Sequence, residues 1–207
     1  MSLIEKFKSD CERRSDINEH LPTIYKYASE CSSIVELGSG RTSDSLATLA
    51  AGILNSKDSD KRLYYFSVDP FLIGDILQMC CLEDINVKIR RQNIFNIDMS
   101  IFNGKEVDMV FIDSDHFFAQ TKLELEKFAP LTKKYIILHD TWIDAQISSC
   151  VRMGQNVKEI AARLGLKRIE VERGIKPAID KFLAANPQWK ILEEFENNNG
   201  LVVIGRV

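Results

Sequence analysis

The chain has 207 residues, of which 45% are hydrophobic, and this size suits one domain with a full core. The 27 basic residues are scattered and the net charge is −3, which gives no electrostatic footprint for nucleic acid or anionic membranes. No apolar stretch approaches the roughly 20 residues that a membrane span needs. The N-terminal sequence MSLIEKFKSDCERR lacks the apolar core of a signal peptide and predicts a surface helix. We therefore expect a cytoplasmic protein with no nucleic-acid and no membrane partner.

The cysteines support the same compartment. Their number is odd and none forms a CxxC pair: Cys11, Cys31, Cys80, Cys81 and Cys150. Zinc ribbons and disulfide frameworks both need cysteines paired at fixed spacing. The sequence therefore predicts free thiols in a reducing cytoplasm.

Short β-rich runs alternate with helical patterns over the first two thirds of the chain. Five runs predict strands, namely residues 33–38, 63–70, 86–92, 107–115 and 134–142. Helical spacing of apolar residues follows several of them, as in TSDSLATLAAGIL and AQTKLELEKFAPL. This alternation predicts parallel strands joined by crossover helices in an open α/β sheet. The last two runs are continuously apolar, as expected when helices cover both faces.

The end of the chain predicts a different connection. WKILEEFE and LVVIGRV are separated by NNNG, and an Asn-Gly pair accepts the positive φ angles of a tight turn. We expect an antiparallel hairpin that closes the sheet.

A helical insertion is predicted at about residues 145–172. Part of it, VKEIAARLGLKRIEV at 157–171, resembles a helix-turn-helix. It is single, embedded and only modestly basic, and it occupies a place where a crossover is needed. We predict a structural crossover rather than a DNA-reading element.

The turn after the first predicted strand is rich in glycine. In SIVELGSGRTSDSL, the spacing Glu36-x-Gly38-x-Gly40 lets a ligand approach backbone N–H groups that a Cβ would shield. In open α/β sheets such ligands lie beyond the carboxyl ends of the strands. A dinucleotide-binding turn would follow GxGxxG, but position 43 is Ser.

Two acids indicate which ligand this turn would hold. Asp69 ends the second predicted strand, where a carboxylate can accept both ribose hydroxyls of an adenosine. Glu36 is unfavourable beside a pyrophosphate and favourable beside a cationic amino-acid group. The charges therefore favour S-adenosylmethionine over a dinucleotide.

Acids and histidines gather at the ends of the fourth and fifth predicted strands. Asp113, Asp115 and His116 follow one strand, and His139 and Asp140 follow the other. Carboxylates grouped in this way suit a hard divalent cation. Alternatively, His116 or His139 takes a proton from the acceptor as a general base without a metal. A third interpretation is structural, with the acids capping a helix and the histidine satisfied at a strand end.

Taken in order, the segments VELGSGRTSDSLATLA, YFSVDP, VDMVFIDSDH and KYIILHDTW resemble class I S-adenosylmethionine-dependent methyltransferases. They are most similar to the small-molecule O-methyltransferase-like branch with IDGDH and HDT motifs. The resemblance spans about residues 16–207, except for 145–172. It implies an α/β, Rossmann-like, doubly wound seven-stranded sheet of order 3-2-1-4-5-7-6. Only the C-terminal hairpin would be antiparallel. The chain would divide into an N-terminal helical segment, 1–30, and a methyltransferase domain, 31–207.

The resemblance also implies roles for individual residues. The cofactor would contact Glu36, Gly38, Gly40, Thr42, Asp69, Pro70, Asn93 and Asp113. The metal would be held by Asp113, His139 and Asp140, and the catalytic residues would be Asp113, His116 and His139. A metal in this family binds the substrate hydroxyl and lowers its pKa, so that the oxygen attacks the sulfonium methyl group. The third ligand in this family is often an acid or an amide, where this sequence offers His139 or Thr141, and a histidine ligand would favour Mn, Fe or Zn over Mg.

We thus expect an S-adenosylmethionine-dependent methyltransferase that acts on a small-molecule hydroxyl with the help of a divalent metal such as Mg. The alternatives are a cofactor-binding homologue without catalysis and a metal-dependent, hydroxylase-like enzyme. The N-terminal helix could mediate a homodimer. His20 is predicted to be an exposed helix residue, with folding over the same cleft as the alternative. Trp142, Phe117 and Phe118 are predicted to shape the acceptor pocket, and for the two phenylalanines the alternative is core packing beneath a loop.

Overall fold

The computed structural model describes residues 1–38, 43–67 and 73–207. Four of the predicted cofactor residues, Gly40, Thr42, Asp69 and Pro70, lie outside these ranges. Within them the chain forms a seven-stranded sheet of order β3-β2-β1-β4-β5-β7-β6. This is the predicted fold, a mostly parallel α/β sheet with an antiparallel C-terminal hairpin.

The strands align at one edge of the sheet. The parallel strands are β1 (Ser33–Leu37), β2 (Arg62–Phe66), β3 (Asn86–Arg90), β4 (Val107–Ile112) and β5 (Thr132–His139). The antiparallel pair is β6 (Trp189–Phe195) and β7 (Leu201–Arg206), with β7 beside β5. Because β1, β4 and β5 run in parallel and lie side by side, the residues that follow them meet at the same edge.

Helices cover both faces of the sheet. They are α1 (Leu3–Glu12), α2 (Leu21–Ala28), α3 (Asp44–Ile53), α4 (Gly74–Leu82), α5 (Phe118–Phe128), α6 (Ser149–Arg152), α7 (Val157–Leu164), α8 (Arg168–Glu172) and α9 (Lys176–Ala185). Short 3₁₀ helices span Ile94–Asn96, Met99–Phe102 and Ala129–Leu131. None of the helices in the described ranges is long and apolar enough to cross a membrane.

The core is divided into two layers by the sheet. Met109 and Phe111 of β4 pack with α1, α2 and α3, whereas Val110 and Ile112 pack with α5 and α9. Successive strand residues point to opposite faces, so a strand with helices on both sides must be apolar throughout. The N-terminal helices therefore share a core with the first face of the sheet.

The insertion after β5 is built from α6, α7 and α8. Val171 of α8 is fully buried and packs in a small cluster with Phe117, Cys150 and Ala161. The helix-turn-helix pattern corresponds to α7 and α8, with Gly165 in the left-handed conformation at the end of α7. Because α8 has only five residues and its Val171 is buried in this cluster, α8 packs as part of the fold.

Candidate active site

A cavity of about 280 Å³ opens at the carboxyl edge of the central strands. Gly38 after β1, Asn93 after β3, Asp113 and His116 after β4, and Asp140 after β5 all line it. Strands β2 and β3 lie on one side of β1, and β4 and β5 lie on the other. The cavity therefore lies where the strand order reverses, the place where open α/β sheets bind ligands.

Gly38 is required by its backbone and by its neighbours. Its φ angle is 79°, in the left-handed region that favours glycine. A Cβ at this position would collide with the backbone of Asp113 and Ser114, at the end of β4. At Gly38, therefore, the backbone that approaches closely is that of Asp113 and Ser114, and this contact brings the ends of β1 and β4 together.

Glu36 lies just beneath the cavity surface. It is fully buried, and its Oε1 atom accepts a hydrogen bond of 2.5 Å from the Ser45 hydroxyl, which lines the cavity. Among the described residues, its Oε2 atom has no hydrogen-bond partner. Burial raises the pKa of Glu36 to about 8, against the opposing effect of the Ser45 hydrogen bond.

The residues of the predicted metal site lie together at the tips of β4 and β5. The Nδ1 atom of His139 is 3.3 Å from Oδ1 of Asp113 and 3.7 Å from Oδ1 of Asp140. The three ligand atoms lie within 4.8 Å of one another. Within the described ranges, Oδ1 of Asp140 is buried and accepts no hydrogen bond. Asp140 also has a φ angle of 56°, which is uncommon for a residue with a side chain and is often found at functional sites.

This donor set fits a divalent cation. Two carboxylates and one imidazole nitrogen converge, and an imidazole favours Mn, Fe or Zn over Mg. The other ring nitrogen of His139, Nε2, lies 3.1 Å from the carbonyl oxygen of Asp16 and 3.3 Å from that of Asn198. Metal-binding histidines commonly donate their second N–H to such a carbonyl. Although burial opposes a charge on the ring, the Asp113 carboxylate raises the pKa of His139 to about 9.

A second group of acids surrounds His116. Its Nδ1 atom lies 3.0 Å from Oδ2 of Asp140 and 3.1 Å from Oδ2 of Asp144. Burial disfavours the imidazolium, but hydrogen bonds with Asp113, Asp140 and Asp144 raise the pKa of His116 well above its usual range. The surrounding carboxylates thus favour the protonated form of His116, whose Nδ1 atom donates to Oδ2 of Asp144.

Asp144 has its own cationic partner. Its Oδ1 and Oδ2 atoms accept hydrogen bonds of 2.7 and 2.9 Å from the guanidinium of Arg152. Although Asp144, Asp140 and His116 could geometrically hold a metal, Arg152 and His116 already balance the charge of Asp144. Asp144 was missed by the sequence analysis because it lies in the loop after β5, and its only signal is its position four residues after Asp140.

A polar network under the β4 tip was not predicted from the sequence. Glu124 of α5 is fully buried and accepts hydrogen bonds from the Ser114 hydroxyl and, at 3.2 Å, from Nε2 of Gln120. Ser114 and Gln120 line the cavity. Burial raises the pKa of Glu124 to about 8, despite these hydrogen bonds. A polar residue inside an amphipathic helix gives no signal of such a role.

The other residues selected from the sequence differ in how their surroundings compare with those expected. The prediction of an exposed His20 is wrong: it is 1% exposed, and its Nε2 atom donates to the carbonyl oxygen of Asn197 at 2.8 Å. Trp142 is 57% exposed and is not among the described residues that line the cavity. Phe117 is buried in the core of the insertion. Asn93 lines the cavity and accepts a hydrogen bond from the Phe95 N–H at 2.9 Å.

No protein-family model matches the sequence, and comparison with curated proteins also finds no match. Solved structures do match the fold. An O-methyltransferase from Bacillus cereus in complex with S-adenosylhomocysteine has a TM-score of 0.61 and 14% identity, covering 99% of this chain and 90% of that one. An O-methyltransferase from Streptomyces achromogenes, involved in tomaymycin synthesis and bound to S-adenosylmethionine, has a TM-score of 0.59 and 11% identity, covering 99% and 89%.

A putative rRNA methylase from Clostridium thermocellum is also similar, with a TM-score of 0.55 and 13% identity, covering 94% of this chain and 99% of that one. The fold is therefore the class I S-adenosylmethionine-dependent methyltransferase fold, as the sequence predicted. Because proteins named for different acceptors share this fold, it does not identify the acceptor.

Proposed function

We propose that the protein is an S-adenosylmethionine-dependent O-methyltransferase that acts on a hydroxyl group of a small molecule, with a divalent cation held by Asp113, His139 and Asp140. One observation carries the proposal. Asp113 and Asp140 line the same cavity as Gly38 and Asn93, so a cofactor above β1 and an acceptor at the tips of β4 and β5 would meet.

The cofactor half of the cavity suits a ligand with a cationic end. Glu36 places behind Ser45 a carboxyl oxygen that has no hydrogen-bond partner among the described residues, and Asp113 adds a carboxylate at the surface. Burial of an acid without compensation is costly, and a cationic amino-acid group nearby would offset that cost. Two of the similar structures hold S-adenosylhomocysteine or S-adenosylmethionine. These points support S-adenosylmethionine as the cofactor.

The acceptor half suits the activation of a hydroxyl. A bound divalent cation supplies Lewis-acid stabilisation of an alkoxide or phenolate. Asp113 lies between the glycine turn and the tip of β5, so it can orient the acceptor oxygen toward the methyl group. The Nδ1 atom of His116 lies 3.0 Å from Oδ2 of Asp140, and among the described residues Oδ1 of Asp140 has no hydrogen-bond partner, so Oδ1 can serve as a ligand atom. In the transfer, the acceptor hydroxyl loses its proton to solvent, and its oxygen forms a bond to the methyl carbon. The bond from sulfur to that carbon breaks at the same time, and its electron pair stays on the sulfur of S-adenosylhomocysteine.

Two alternatives fit the geometry less well. The carboxylates around His116 raise its pKa and favour its protonated form, which has no lone pair with which to accept a proton as a general base. His139 is buried, and both of its nitrogens have partners. A non-haem iron oxygenase typically uses two histidines and one carboxylate, whereas Asp113, His139 and Asp140 provide one histidine and two carboxylates.

The proposal can be tested by binding and turnover. Isothermal titration calorimetry with S-adenosylmethionine should give a dissociation constant tighter than about 1 mM. Mn²⁺ binding, followed by electron paramagnetic resonance, should weaken at least about 100-fold in Asp113→Asn and Asp140→Asn. The control Asp115→Asn alters an acid of the same loop that is outside the donor set and should keep Mn²⁺ affinity.

Each possible failure has a distinct meaning. No binding of S-adenosylmethionine would exclude a methyltransferase. Binding without methyl transfer to any hydroxyl in a broad set of phenols, catechols, sugars and hydroxy acids would identify a homologue without catalysis. Methyl transfer that is unchanged by EDTA and by Asp140→Asn would exclude the metal.

A further inference from the structure

The turn between β6 and β7, residues 197–200, contacts the active site. Its φ angles are 46° at Asn198, 72° at Asn199 and 96° at Gly200, all left-handed. Asn and Gly are the residues that tolerate this conformation best. The Asn199 carbonyl accepts hydrogen bonds from the N–H groups of Trp142 at 2.9 Å and Ile143 at 3.0 Å. The turn is therefore attached to the chain directly after Asp140.

The same turn holds the loop at residues 15–20. Asn198 uses both ends of its amide, since Nδ2 donates to the Ser15 carbonyl at 2.9 Å and Oδ1 accepts from the Glu19 N–H at 3.2 Å. On either side, Nδ2 of Asn197 donates to the Glu19 carboxylate at 2.5 Å, and Nε2 of His20 donates to the Asn197 carbonyl. We call residues 15–20 and 197–200 together the clasp.

The ring of His139 lies between the two halves of the clasp. Its Nε2 atom is 3.1 Å from the Asp16 carbonyl, in the loop, and 3.3 Å from the Asn198 carbonyl, in the turn. Carbonyl oxygens only accept hydrogen bonds, so Nε2 must carry a proton. The opposite atom, Nδ1, faces Asp113 and Asp140.

We propose that the clasp fixes a proton on Nε2 of His139 and so makes Nδ1 the ring atom that binds the cation. Asn198 is the positioning residue, because its side chain joins the two halves whose carbonyls hold Nε2. A histidine without such partners divides its neutral form between two tautomers, and only the one protonated on Nε2 offers a lone pair on Nδ1. The role of Nδ1 rests on the proposed function, whereas the position of the proton does not.

A matched pair of variants tests this. Asn198→Gly and Asn199→Gly each place glycine at a left-handed position, so both backbones are tolerated. Asn198 holds the loop with its side chain, whereas Asn199 contributes its backbone carbonyl to the contacts that the structure describes. Asn198→Gly therefore removes the two hydrogen bonds that the Asn198 side chain makes between the halves of the clasp, and Asn199→Gly controls for the loss of an asparagine from the turn.

Two measurements on the full chain should separate these variants. In protein labelled with ¹⁵N-histidine and free of metal, NMR should show a slowly exchanging Nε2–H of His139 in the wild type and in Asn199→Gly. That signal should be lost to solvent exchange in Asn198→Gly. Mn²⁺ affinity should fall about 10-fold in Asn198→Gly and stay within about twofold in Asn199→Gly.

Three results would overturn the proposal. The first is a wild-type Nε2–H that exchanges as fast as a solvent-exposed imidazole. The second is equal behaviour of the two glycine variants in both measurements. The third is a wild type that keeps its Nε2–H but binds no Mn²⁺, which would remove the ligand role of Nδ1 while the titration with S-adenosylmethionine still tests the cofactor. If Asn198→Gly does not fold, Asn198→Asp keeps the acceptor for Glu19 and removes only the donor to Ser15, and it should show the same loss of the Nε2–H signal.

Discussion

Asp140 combines an unusual backbone conformation with a carboxylate oxygen that accepts no hydrogen bond within the described ranges, and the two features can be separated by substitution. Asparagine tolerates a left-handed φ of 56° better than alanine does. Asp140→Asn and Asp140→Ala both remove the charge, so both should weaken Mn²⁺ binding. We expect Asp140→Ala to be less stable than Asp140→Asn by about 1–2 kcal/mol because of backbone strain alone. Urea unfolding of both variants measures this difference, and equal stabilities would contradict the argument.

Glu124 should make stability depend on pH. Burial raises its pKa to about 8, so its favourable contribution is fully present below the ordinary carboxyl pKa and is lost as the pH rises through about 8. Asp113, His116 and His139 also titrate, but Glu124→Gln leaves them in place. We expect the free energy of unfolding of Glu124→Gln to rise relative to wild type by about 1.4 kcal/mol for each pH unit between pH 5 and 8.

Urea unfolding at several pH values checks this trend. Glu126→Gln is the matched control, because Glu126 lies on the same helix with an exposed side chain and should show no such slope. A difference between Glu124→Gln and wild type that does not change with pH would contradict the buried, neutral carboxyl.

The roles of residues that directly follow apolar strands could be predicted from the sequence. Asp113, His116 and Asp140 follow apolar strands, and the ends of parallel strands meet at one edge. The burial of His20 could not be predicted, because it depends on the carbonyl of Asn197, 177 residues away. Glu124 and Asp144 lie in a helix and a loop, where no periodic pattern distinguishes a buried acid from a solvated one.

At the scale of elements, α6 couples the insertion to the active site. The Ser149 N–H donates to the His116 carbonyl at 3.1 Å, and Arg152 binds Asp144, which in turn contacts His116. Asp144 is fully buried, so removing its cationic partner leaves a charge only partly compensated. The side chain of Arg152 is 40% exposed, and solvent screening reduces the cost.

We expect Arg152→Gln to lower the free energy of unfolding by about 1–2 kcal/mol. Adding Asp144→Asn should recover part of this loss, and a double-mutant cycle in urea measures the coupling. Arg168→Gln is the control, because Arg168 forms an exposed pair with Glu172 and should change stability by less than about 0.5 kcal/mol. Additive effects of Arg152→Gln and Asp144→Asn would show that the pair does not couple the insertion to the site.

Strand positions were predictable, but their ends were not. The fourth strand was predicted over 107–115 and ends at Ile112, and the fifth was predicted over 134–142 and spans Thr132–His139. Asp113 and Asp115 follow a continuous apolar run, so pattern alone extends the strand through them. In the structure the strand ends at Ile112, the Asp113 N–H still donates to the Leu37 carbonyl of β1 at 2.9 Å, and both acids line the cavity.

At the scale of the whole molecule, the order of strands and helices along the sequence was enough to predict the fold. The same pattern could not predict the acceptor. The cavity is lined by residues from distant segments, including Asp16, Gln92 and Gln120. No spacing rule links such positions, because only tertiary packing brings them together. The similar structures share only 11–14% sequence identity with this chain, so they support the fold but do not identify the side chains that determine substrate specificity.

The position of the cavity indicates that a bound ligand would stabilise the whole folded chain. Asp16 and Ile17 of the N-terminal segment line it together with Gly38 and Asp113 of the central sheet. A ligand bound there contacts both parts, and binding to the folded state alone at about 100 times the dissociation constant adds about 2.7 kcal/mol of stability. For a chain of this size, we expect S-adenosylmethionine to raise the melting temperature by about 5–10 °C.

Protection from hydrogen exchange on ligand binding should be confined to particular segments of the chain. Hydrogen exchange should slow at residues 15–20 when S-adenosylmethionine binds, because the ligand would close this loop against the ends of β1 and β4. Residues of α9 and β6 lie away from the cavity and should exchange at the same rate with and without ligand. Mass spectrometry of peptides from both regions provides the comparison within one sample. Tight binding that leaves the exchange of residues 15–20 unchanged would mean that the ligand occupies another surface, and the cavity would then not be the cofactor site.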